Sequence, residues 1–146
     1  MKKIIIAAFL LLLIVGISAE VHTPSGRWKT IDDETGEEKS VVRIWIEDGV
    51  LYGKIDSLFL EPDEDPNPVC DECKGKNKDK PIIGMTIMEN LSRKGIGWSG
   101  GTILDPDNGK TYKCKIEIIE NGERLKLRGF LGISLLGRTQ YWIRVK

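Results

Sequence analysis

The chain has 146 residues, of which 22 are Lys or Arg and 22 are Asp or Glu, with one His and a formal net charge of zero at pH 7. That balance excludes a nucleic-acid binder of the strongly basic kind, and the length suits one domain with one core. Three cysteines and a single histidine leave little material for metal or nucleophilic chemistry.

Met1-Lys2-Lys3 is a short basic stretch, Ile4 to Ile17 is an unbroken apolar run, and Ser18-Ala19 supplies small residues for cleavage before Glu20. As a helix the run would span about 21 Å, short of the roughly 30 Å hydrocarbon core of a bilayer. Residues 1–19 are therefore read as a signal peptide. The mature chain, 20–146, is expected in the periplasm or outside the cell, with no membrane span. No cysteine follows the run to carry a lipid. Without Lys2 and Lys3, 20 basic residues face 22 acidic ones, a formal charge of −2.

From Glu20 onward, apolar and polar residues alternate with period two, as in half-buried antiparallel strands. The pattern predicts eight strands: Gly26–Ile31, Val41–Glu47, Val50–Leu58, Ile82–Glu89, Ile96–Leu104, Thr111–Ile119, Arg124–Leu131 and Arg138–Val145. Asp48-Gly49, Asn108-Gly109 and Asn121-Gly122 are hairpin turn signals. Eight short strands joined by hairpins predict an all-β, antiparallel up-and-down barrel, and the alternative is a two-sheet β-sandwich.

Within the first strand, Gly26 and Trp28 would neighbour the last strand of a closed barrel. Arg138 or Arg144 could then lie over Trp28 and close one end. Asp32-Asp33-Glu34 reads as a solvated loop. Trp45 falls on the face shared with Arg43 and Glu47, so it points away from the core.

Glu61 to Lys80 breaks the hairpin pattern. It begins acidic and proline-rich, continues through Cys70-Asp71-Glu72-Cys73 and ends lysine-rich. An excursion of this length is either a lid over one barrel end or an ordered surface loop. For the two cysteines, three readings compete: a local disulfide, thiol exchange, or a metal site completed by Cys114 and His22. A poor helix former follows the pair and His22 sits at the amino-terminal edge, so the disulfide leads. Cys114 lies on the apolar face of its strand and reads as a small buried hydrophobe, with pairing to Cys70 or Cys73 as the alternative, since connectivity is not written in the sequence.

The hairpin from Trp98 to Tyr112 carries two glycines, Gly100 and Gly101, where a strand must bend into a barrel, and Asp105-Pro106-Asp107-Asn108-Gly109 as its turn. Gly109-Lys110-Thr111 imitates the tail of a phosphate-binding loop, but position 104 is Leu where that loop requires Gly, and no helix follows. Trp98 and Tyr112 could line an apolar pocket near a barrel mouth.

This hairpin, together with Pro81-Ile82-Ile83-Gly84-Met85-Thr86-Ile87 and Gly129-Phe130-Leu131-Gly132 followed by Leu136-Gly137-Arg138-Thr139-Gln140-Tyr141-Trp142, resembles the bacterial exported family known as domain of unknown function 2147. The resemblance implies an exported barrel-like domain and carries over no catalytic, metal or cofactor residues. More remotely, Gly26-x-Trp28 with a terminal-strand Arg is similar to the lipocalin and related calycin barrels. The middle-loop signature of lipocalins and their helix after the last strand are missing.

Three functions follow as expectations. One is a barrel that binds a small apolar or amphipathic ligand, lined by Trp98 and Tyr112. A second is a filled barrel that meets another envelope protein, motivated by Trp45. The third is a thiol-redox protein or enzyme centred on Cys70 and Cys73. No nucleic-acid partner is expected.

Overall fold

A computed structural model describes residues 22–133 and 137–146, so the leader expected over 1–19 lies outside the described residues. The chain forms eight antiparallel strands: β1 Gly26–Ile31, β2 Glu38–Glu47, β3 Val50–Leu58, β4 Thr86–Lys94, β5 Gly97–Asp105, β6 Lys110–Ile119, β7 Arg124–Phe130 and β8 Arg138–Arg144. Each strand pairs with the next, and β1 pairs with β8, so the sheet closes into a barrel rather than splitting into a sandwich. Closure leaves no edge strand unpaired. Among the described residues no helix is long and apolar enough to cross a membrane.

The up-and-down path gives the barrel two distinct ends. The base holds the tight turns after β2, β4 and β6, together with the segment preceding β1. The rim holds the loops after β1, β3, β5 and β7. Inward positions supply the core. Trp28, Val42, Ile44, Leu51, Met88, Leu91, Cys114, Leu125 and Trp142 are all fully enclosed. The β2–β3 turn needs two left-handed residues, and Asp48 (φ 50°) with Gly49 (φ 76°) provides them.

Gly101 permits close packing of the walls. A side chain on Gly101 would meet the Glu89 carbonyl oxygen at 2.2 Å. Its neighbour Gly100, at φ 83°, lies in the bulge where the β5–β6 register shifts. The predicted bend is therefore a β-bulge beside a near-contact of two backbones.

Strand β4 begins four residues later than the sequence pattern implies and runs past Glu89 to Lys94. Ile82 is instead held by the excursion, its N–H bonding the Pro68 carbonyl at 3.0 Å, while the Gly84 N–H bonds Ile55 O at 2.7 Å. β2 starts three residues early, at Glu38, because Ser40 pairs with Thr30 and their hydroxyls lie 2.8 Å apart.

The excursion is a cover on the outer wall, which decides between the two expectations for it. In the β5–β6 register Leu104 pairs with the exposed, outward Thr111, yet Leu104 is only 9% accessible. Its shelter is the disulfide Cys70–Cys73, which belongs to the same apolar cluster as Leu104, Ile87 and Met85. Cys70 Sγ lies 3.4 Å from the Pro106 carbonyl oxygen, and the Glu72 carbonyl lies so close over Gly109 that a Cβ there would sit 2.0 Å from it. Inside the excursion, Cys70 N–H bonds Lys80 O at 2.8 Å and Asp79 N–H bonds Cys70 O at 2.9 Å.

Replacing both sulfurs, Cys70→Ala with Cys73→Ala, removes a four-residue closed loop that contributes about 2 kcal/mol by chain entropy. Urea unfolding of the double variant should show roughly that loss. Limited proteolysis should cut first within 61–80 while the barrel stays intact.

Candidate functional site

The base is sealed by one aromatic ring and one guanidinium. Trp28 is fully buried and its indole N–H donates to the Pro24 carbonyl at 2.8 Å. Trp28 and Arg144 are register partners across the β1–β8 seam, and the guanidinium carbon stands 4.1 Å from the ring centroid. The same guanidinium donates to three carbonyls: Gly122 at 2.6 Å, Thr23 at 2.8 Å and Ser25 at 3.1 Å. One planar fork thus ties the segment before β1, the β6–β7 turn and the last strand together. Gly26, at φ 134°, lets Arg144 pass, because a Cβ there would lie 3.0 Å from the guanidinium.

Arg138 does not share this role. It sits at the opposite end of β8 and engages Asp33 through two bonds of 2.6 and 3.0 Å, with Glu34 at 3.4 Å. Gln140 Nε2 also donates to Asp33, at 3.2 Å, and Gln140 Oε1 accepts the indole N–H of buried Trp142 at 3.0 Å. A polar chain therefore runs from the core to the rim through Trp142, Gln140, Asp33 and Arg138. The loop presenting Asp33 is ordered by Asp32, whose Oδ1 accepts from Glu34 N–H at 2.9 Å and Thr35 N–H at 2.8 Å.

Sequence reasoning missed this constellation, treating Asp33 as solvated. The available signal was the even spacing of Arg138, Gln140, Trp142 and Arg144, which puts all four on one face of the last strand.

Charge follows the geometry. Burial pushes the Asp33 carboxyl up, but the hydrogen bonds from Arg138 and Gln140 outweigh it and hold the group below its ordinary value. Asp105, where β5 reaches the same rim, is shifted the other way, chiefly by burial and further by Asp107. Burial lifts the Cys114 thiol to about 12, and its enclosed side chain offers no reactive thiolate at neutral pH.

The two aromatic residues expected to share a pocket are apart. Trp98 pairs with Ile116 near the base, whereas Tyr112 pairs with Ile103 near the rim, four strand steps or about 13 Å away. Trp98 packs partly against the core, and the Tyr112 hydroxyl accepts from Asn108 Nδ2 at 3.0 Å. Only Tyr112 belongs to the rim site. Trp45 is half-buried, outside the core, and stacks on Tyr52 with ring centroids 5.6 Å apart. Cys70 and Cys73 are joined and enclosed, leaving an attacking thiolate no approach, and among the described residues no cluster of three or more His, Cys, Asp or Glu could hold a metal ion.

Residues 26–144 match a protein family described as "Uncharacterized protein conserved in bacteria (DUF2147)". The chain belongs to this family. The match spans all eight strands of the DUF2147 barrel, from Gly26 to Arg144. Among solved structures, a Helicobacter pylori protein described as belonging to the lipocalin family is similar at a TM-score of 0.72. Its sequence identity is 20%, and the likeness covers 86% of this chain and 84% of that one. At that identity the likeness establishes a shared lipocalin-like fold. No curated protein matches the chain.

Two outcomes test these assignments. Arg144→Met orphans three carbonyls and removes the stack on Trp28, so it should cost about 1–3 kcal/mol in denaturant unfolding. Arg144→Lys should rescue little of that, because one ammonium cannot reproduce the guanidinium fork. Asp105 has a raised folded value, so the native state binds more protons than the unfolded chain above 3.8, and its contribution to stability falls as pH rises through that raised value. Asp105→Asn should therefore gain thermal stability over the parent between acid and neutral pH, read as a difference in Tm that grows with pH.

Proposed function

We propose that this DUF2147 protein works after export, as a barrel that holds one small amphipathic ligand at its rim. The observation carrying this reading is the asymmetry of the lumen. The base is sealed by Trp28 and Arg144, and the body is filled with apolar side chains. Towards the rim the inward positions turn polar at Thr30, Ser40, Gln140 and Arg138, and Gly129, the register partner of Arg138, lies against Tyr112 and Ile103. A polar or anionic head would be met by Arg138 and Gln140, competing with Asp33, while the apolar portion lies against Tyr112, Ile103 and the bare backbone of Gly129.

The filled body restricts such a ligand to a shallow seat rather than a deep pocket. The lipocalin-like fold is compatible with ligand binding without requiring it. A second reading, a filled barrel that docks on another envelope protein, is favoured by the outward Trp45–Tyr52 stack.

Native mass spectrometry and solvent extraction of protein purified from its own envelope distinguish the two. The first reading expects one co-purifying small molecule whose retention drops at least tenfold in Arg138→Met. Protein that carries no such molecule and is unaffected by the substitution leaves the docking reading standing.

A further inference from the structure

The outward face of β6 and β7 concentrates positive charge. Lys115 is the register partner of Arg128, and Lys126 that of Glu117. With Lys94 at the end of β4 these residues line an open groove of about 550 Å³ on the outside of the barrel, holding four cations and one carboxylate. Arg128 donates to Thr139 Oγ1 at 2.7 Å. Lys94, Lys115 and Lys126 have no ion-pair partner among the described residues. The chain is near neutrality overall, so this is a separation of charge: the acidic run 61–65 lies in the excursion, outside this face.

At the base end of the groove, Ile96 projects from the β4–β5 turn with 82% of its surface in solvent. Along the neighbouring strand, Tyr141 and Ile143 are also exposed, and Arg124 stands 5.0 Å over the Tyr141 ring. Unpaired lysines around an uncovered aliphatic turn call for a partner offering both diffuse negative charge and an apolar phase. An acidic protein patch supplies the first without the second. An anionic bilayer surface supplies both.

We propose that this wall is a peripheral docking face for anionic phospholipid membrane, with Ile96 entering the acyl boundary and Lys94, Lys115 and Lys126 resting on the headgroups. Opposing Glu117 limits the attraction, so the contact is reversible and sensitive to salt.

Sedimentation with phosphatidylcholine vesicles, with and without phosphatidylglycerol, tests it. The protein is recovered after export, with intact mass confirming that the apolar run 4–17 is absent. Binding is expected only to the vesicles containing phosphatidylglycerol and should be lost at high salt. Lys115→Gln and Lys126→Gln should each lower the partition coefficient about fivefold, and Glu117→Gln should raise it by a similar factor. Ile96→Ser should lower it about tenfold. All four positions are on the surface, and an unchanged Tm confirms that each variant folds. Equal binding to neutral vesicles, or no binding to anionic ones, overturns the proposal. Retention on heparin without vesicle binding also overturns it, in favour of a soluble polyanion.

Discussion

Everything in this molecule depends on closing a sheet. A flat or open eight-stranded sheet with these alternating strands would expose one apolar face and two unpaired edges. Yet the closing seam is the barrel's slightest pairing, with only Trp28–Arg144 and Lys29–Ile143 in register. The strength missing from the ladder comes from side chains. The Arg144 guanidinium is shared among an indole face and three carbonyls, so the seam is pinned at its base by a single residue making four favourable contacts. Farther along β8, the Asp33–Arg138 and Asp33–Gln140 bonds tie the last strand to the loop that leaves β1. The seam is held at both ends by charge-assisted bonds rather than by backbone alone.

With the barrel closed, apolar residues fall into two compartments. One is the lumen. The other lies on the outer wall, where Leu104 is buried beside the turn that the disulfide-bearing excursion covers. The roof needs no ligand to explain it, since uncovered it would leave an aliphatic patch on the wall. This division also explains why the cysteine pair is unsuited to thiol exchange. Its place is the one where a cross-linked, compact turn can lie flat against another turn.

Much of the fold was legible because period-two alternation is a local signal. β3 has the same bounds in sequence and structure, since Asp48-Gly49 fixes one side and the pleat the rest. β4 was misplaced because Ile82 to Met85 has strand character, while its hydrogen bonds go to the excursion and to Ile55, a choice made far along the chain. The site was less legible for the same reason. Arg138 and Arg144 share a face of β8, and only the register of the seam says which one meets Trp28. Trp98 and Tyr112 also belong to one hairpin, but the pairing of β5 with β6 separates them along the barrel axis. Asp33 looks like any loop acid until β8 is brought beside it.

The seat of the excursion on the β5–β6 turn joins a local constraint to a distant one. Cys70 and Cys73 are three residues apart, so their cross-link closes without any other part of the chain. Their landing place around Pro106 and Gly109 lies 36 residues beyond Cys70 and does not exist until the next hairpin has formed. The cross-link makes a small compact tile from four residues, and the β5–β6 hairpin is the surface that receives it. Gly109 lets the tile lie flush, so a single hydrogen in place of a methyl group sets how closely a locally stapled turn can seat on a distant hairpin.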